Sequence, residues 1–115
     1  MTDQENAVEF RQTFLSLFPT LFSFANSLVT DKIAVKNIVW TSFILLWNKW
    51  TDLDSELNRK AFLYITIRNS CIAYSPTGNA GLGKIPTGNL PDEIAKELMD
   101  FARDFLLSQH PPEQA

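Results

Sequence analysis

The sequence predicts an all-α fold: about four helices forming a bundle, plus a C-terminal helix. Apolar residues recur at helical spacing over most of residues 8–74, and no window alternates with period two. All four glycines fall between Gly78 and Gly88, where Pro76, Pro86 and Pro91 also gather, so regular structure is expected to break there. At 115 residues and 45% hydrophobic composition, the chain is long enough for one domain with its own core.

The elements follow in order. Val8, Phe10, Phe14, Leu17 and Phe18 form the stripe of a first helix, which Pro19 is expected to close while opening a second. Leu21, Phe22, Ala25 and Leu28 give that second helix its apolar line. Thr30 or Asp31 can cap a third helix running to about Lys49. Polar, acidic Thr51 to Leu57 reads as a loop, with Ser55 or Asn58 as candidate caps for a fourth helix from about Arg59 to Tyr74. Pro91, followed by Asp92 and Glu93, suits the positive end of a last helix, whose stripe is Ile94, Leu98, Phe101 and Phe105. The chain therefore divides into a helical body (1–75), a Gly/Pro-rich linker (76–90), an amphipathic helix (91–109) and a tail (110–115). Within the linker, Pro76-Thr77-Gly78-Asn79 recurs as Pro86-Thr87-Gly88-Asn89, which reads as two turns.

Charge divides along the same line. The formal net charge is −3, yet residues 1–75 hold seven cationic and seven acidic side chains, so the linker and tail supply the whole excess. One cysteine, Cys71, excludes an intrachain disulfide framework and fits a reducing compartment; on an apolar helix face it reads as core. The one histidine, His110, lies in the Pro-rich tail, so no metal ligand set is expected and no cofactor is implied. Nucleophile–base pairing and a Gly-rich phosphate cradle are both missing, which points away from an enzyme. The acidic, polar start (MTDQENAVEF) is unlike a secretory leader. The longest apolar run, Ile38 to Trp47, falls short of the ~20 residues of a membrane span, so a cytoplasmic protein without a membrane partner is expected.

The third predicted helix is apolar nearly all round, which places it at the centre of a bundle or against a partner. Trp40, Trp47 and Trp50 fall within roughly 80° of one another. They read as core, or, for Trp40, as part of a docking surface.

Residues 31–47, Asp-Lys-Ile-Ala-Val-Lys-Asn-Ile-Val-Trp-Thr-Ser-Phe-Ile-Leu-Leu-Trp, resemble region 2 of the extracytoplasmic-function sigma factors of bacterial RNA polymerase. The pattern there is approximately D-x-x-x-A-E-D-I-V-Q-E-V-F-x-K-L-W. Residues 60–74 (Lys-Ala-Phe-Leu-Tyr-Ile-Thr-Ile-Arg-Asn-Ser-Cys-Ile-Ala-Tyr) are similar to the family's A-[FY]-L-Y-x-x-x-R-N-x-C-[IL]-x-Y. The likeness covers about residues 8–75, with both motifs in order and at the family's spacing. It implies a domain that docks on the clamp of core RNA polymerase and captures the melted promoter −10 element.

Carried over position by position, the likeness makes Lys36, Asn37, Trp40, Thr41 and Leu45 the polymerase- or partner-binding set. The family usually has Glu, Asp, Gln, Glu and Lys there, so three carboxylates are lost and apolar area is gained. Arg59, Lys60, Tyr64, Arg68 and Asn69 become the DNA-binding set, an aromatic between cations being suited to a single strand. Ser70 stands where a second Arg is usual, and Ser75-Pro76-Thr77-Gly78 replaces a basic run, so promoter affinity is expected to be weak and salt-sensitive. The 25 residues after Leu90 hold one helix and leave no room for a helix-turn-helix. Two functions follow: a sigma region 2 domain acting with core polymerase at the −10 element, or a degenerate sigma-like regulator acting on a sigma or anti-sigma protein by contact alone. The last helix is expected to pack on the body, over the Trp40 side, or to exchange between two chains as a homodimer.

Overall fold

A computed structural model describes residues 3–75 and 90–109; the linker turns expected at 76–89 and the tail at 110–115 lie outside the described residues. Four helices, and no strand, occur among the described residues: α1 (Asp3–Asn26), α2 (Lys32–Asn48), α3 (Glu56–Ala73) and α4 (Asp92–Ser108).

The expected break at Pro19 does not occur, because α1 runs straight through it. Pro19 has no N–H to give the Leu15 carbonyl, and an interior proline costs about 3 kcal/mol. Against that stand Phe10, Phe14, Phe18, Leu21, Phe22 and Ala25, which lie in one helical phase on both sides of the proline and are all buried. Each large apolar side chain so buried contributes about 1.5–3 kcal/mol, so the stripe outweighs the proline. At the ends of this stripe the expectation shifts by one residue. Ala7 is buried rather than Val8, and Val29 rather than Leu28.

α2 starts at an Asp31 cap, whose Oδ1 accepts from the backbone N–H groups of Ile33 at 3.1 Å and Ala34 at 3.2 Å. Its all-round apolar surface is explained by position, since α1, α3 and α4 each pack against it. Ser42, the polar exception in its buried set, donates its hydroxyl to the Ile38 carbonyl at 2.9 Å. α3 begins at Glu56, three residues earlier than expected, because Ser55 takes the cap and accepts from Asn58 N–H at 3.0 Å. Leu63, Ile67 and Cys71, four apart, are the buried line of α3. Its end is tied back to the start of α2: the Tyr74 hydroxyl donates to Asp31 Oδ2 at 3.3 Å. Burial first, then the Asp31 charge, raises the Tyr74 phenol above its ordinary pKa.

α4 packs on α1 and α2. Pro91 is its cap residue rather than its first helical residue, and Asp92 and Glu93 occupy the first turn. Its deepest line is Ala95, Leu98, Ala102 and Leu106; Ile94, Phe101 and Phe105 flank it half-buried, so the inward face is rotated from the expected stripe. Phe101 meets Phe14 at 6.2 Å and Phe18 at 5.9 Å, and Phe105 meets Phe18 at 5.5 Å and Phe22 at 5.1 Å, all edge-to-face. Such ring pairs are worth about 0.5–1.5 kcal/mol each beyond their buried area. Outside the ring ladder, Arg11 of α1 and Glu97 of α4 form an ion pair at 2.6 Å.

Two outcomes are expected. Phe18→Ala removes a fully buried ring shared by α1 and α4 and should lower the unfolding free energy in urea by about 3–5 kcal/mol. The hydrogen bond and charge of Arg11 hold the Glu97 carboxyl below its ordinary pKa. Because the folded value is the lower one, the pair stabilises above the unfolded carboxylate pKa and its contribution disappears as pH falls through the folded value. The gap in melting temperature between the native chain and Glu97→Gln should therefore be present at neutral pH and close on acidification through the carboxylate range.

Candidate functional surfaces

The five residues carried over as the partner-binding set do not share one face. Trp40 is 3% exposed and lies edge-on to Phe14 at 5.7 Å. Lys36 and Asn37 are half-buried on the lip of a cavity of about 220 Å³ that they form with Trp40 and, across from them on α4, Met99, Asp100 and Arg103. Asp100 is held by Lys96 and Arg103 at 3.5 Å each, so the α4 wall is an ion-paired rim over the indole. Thr41 is half-buried. Leu45, nine residues from Lys36 and about half a turn round the helix, is 43% exposed away from this cavity. α4 thus packs over the Trp40 side, as expected from its amphipathic pattern, and closes the surface from which a partner would approach that indole.

The second set lies on α3 and also separates. Arg59 turns inward. Its Nη2 donates to the Trp50 carbonyl at 2.9 Å, its Nε donates to the Leu53 carbonyl, and its guanidinium carbon lies 3.6 Å from the centre of the Trp50 ring. Among the described residues the buried Trp50 Nε1 has no hydrogen-bond partner; the indole works instead through its π-system, which carries Arg59 and sits T-shaped against Phe10 at 5.6 Å. Arg59 therefore braces the turn between α2 and α3. Tyr64 is half-buried, with its ring against Phe24 at 5.0 Å. Lys60, Arg68 and Asn69 are exposed. Lys60 and Arg59 border a second cavity, of about 390 Å³, between α1 and α3; Glu9 and Glu56 face it as well, so its charges balance and it offers no anion a net field.

Beside Arg68 the outer face of α3 carries exposed Leu57, Ala61, Ile65 and Ile72, which the sequence reading did not single out. A signal for them exists: α3 holds two apolar stripes about 120° apart, and only the Leu63/Ile67/Cys71 stripe can face the bundle. Cys71 is core, its thiol near the Ala25 carbonyl at 3.9 Å, and burial pushes its pKa up. Among the described residues, no group of His, Cys, Asp and Glu could hold a metal ion, and no helix is long and apolar enough to cross a membrane.

Comparison with protein-family models, with curated proteins and with solved structures finds no match.

If Arg59 braces the turn, Arg59→Ala should cost about 2 kcal/mol in chemical denaturation. Arg59→Lys should recover less than half of that, because an ammonium cannot reach both carbonyls and stack on the indole at once.

Proposed function

We propose that this chain is a sigma-like regulator of transcription initiation that acts by contact with another protein, a sigma or anti-sigma factor, without reading promoter DNA. The resemblance to sigma region 2 supports the transcription assignment, through two motifs in family order. Their outer ends, Asp31 and Tyr74, are joined by a hydrogen bond, so the two matched segments form one unit. The observation that carries the reading is the α4 roof. The family's clamp-facing helix corresponds to α2, whose Trp40 is buried beneath Met99, Asp100 and Arg103 of the same chain.

The α3 face argues in the same direction. Of four candidate DNA-binding side chains on that helix besides Asn69, Arg59 is spent on the Trp50 and Leu53 carbonyls, and Tyr64 keeps part of its ring against Phe24. Two exposed cations, Lys60 and Arg68, remain for phosphates, too few for tight single-strand capture.

The test is fluorescence anisotropy of the full chain, with and without core RNA polymerase, on single-stranded oligonucleotides carrying a −10 element or its scrambled sequence. Equal, weak and salt-sensitive binding to both is expected, with no change for Tyr64→Ala. Preferential binding of the −10 oligonucleotide, lost in Tyr64→Ala, would overturn the reading in favour of a promoter-recognising sigma domain.

A further inference from the structure

α3 presents a second apolar stripe to solvent. Leu57 is 75% exposed, Ile65 60% and Ile72 64%, with Ala61 exposed between them. Single exposed apolar residues are ordinary, but four along one helix face make a patch. From Leu57 to Ile72 the ridge runs for about 22 Å at the helical rise. Arg68 lies within it, and Lys60 flanks its first turn about 60° round the helix from Leu57, on the side of the α1–α3 cavity; both are exposed, and among the described residues neither forms an ion pair. The one carboxylate of α3 is Glu56, in its first turn.

We infer that this face docks an acidic amphipathic helix of another protein. A helix has its backbone groups paired internally, so the partner cannot add a strand and must meet side chains with side chains at the same period. Its apolar line would lie along Leu57, Ala61, Ile65 and Ile72, where the small Ala61 lets the two backbones approach. Its carboxylates would meet Lys60 and Arg68. Charge complementarity selects this occupant over others. A second copy of the face would bring four cations together against two Glu56 carboxylates. A nucleic acid gains no stacking from Leu and Ile. A membrane-surface helix needs a strongly cationic flank, and two cations do not supply one. The docking face is separate from the α2–α4 cavity, and it holds whether or not the chain acts on transcription.

Two synthetic amphipathic helical peptides test it, identical in their Leu/Ile stripe and flanked by Glu in one and by Lys in the other. Each is titrated against the full chain by fluorescence anisotropy. The Glu peptide should bind at least about tenfold more tightly than the Lys peptide, and less tightly as salt rises. Ile65→Asp should abolish that binding without moving the melting temperature, since the side chain is exposed. Lys60→Glu combined with Arg68→Glu should invert the peptide preference. Equal binding of both peptides, binding of neither, or indifference to Ile65→Asp would overturn the inference. So would a dimer in light scattering, or sedimentation with phosphatidylserine vesicles, that Ile65→Asp abolishes, since these outcomes would assign the face to self-association or to a membrane.

Discussion

Phe10, Phe14, Phe18 and Phe22 recur every four residues along α1, and the order of the remaining structure depends on that ladder of rings. All four are buried. On one flank Phe10 and Phe14 meet Phe43 of α2 at 6.2 and 4.6 Å. On another, Phe14, Phe18 and Phe22 receive Phe101 and Phe105 of α4. One helix thereby sets the position of two others. Packing at crystalline density makes such a site intolerant of volume change, so the ladder constrains both neighbours at once.

That constraint has a functional consequence. With α4 seated on α1, its Met99–Arg103 turn lies over Trp40, and α2 becomes the central helix, contacted by α1, α3 and α4 and left exposed chiefly at Ile33 and Leu45. Among the described residues α4 does not approach α3, so the α3 face proposed above as a docking surface stays clear of it. There the cations and the apolar ridge sit together, while Arg59 is withdrawn to brace the α2–α3 turn.

How far this was legible in the sequence varies with the range of the interaction. The caps were legible to within two candidates each, Thr30 or Asp31 and Ser55 or Asn58, since a cap depends on a side chain and N–H groups two or three residues away; Asp31 and Ser55 take the role. The helical class and the amphipathic last helix were visible from apolar spacing. Pro19 misled, because a local rule was set against a stripe whose common phase, from Phe10 to Ala25, is the stronger term. The rotated face of α4 was not legible, since Ala95 and Ala102 become deepest only when large rings on α1 fill the space beside them. The destination of Arg59 was not legible either, because its acceptors are main-chain carbonyls of a turn whose shape no residue pattern declares. For Trp40 the apolar pattern left two covers open, the last helix or another chain, and α4 lies over it here; Leu45 lies on another side of α2.

α4 belongs to the core and roofs the Trp40 face. Removing residues 91–115 and measuring dye binding together with association state by light scattering tests it most directly. Uncovered Phe14, Phe18, Phe22 and Trp40 should raise dye fluorescence and drive aggregation or self-association. A truncated chain that stays monomeric, binds no more dye and unfolds at the same denaturant concentration would contradict it.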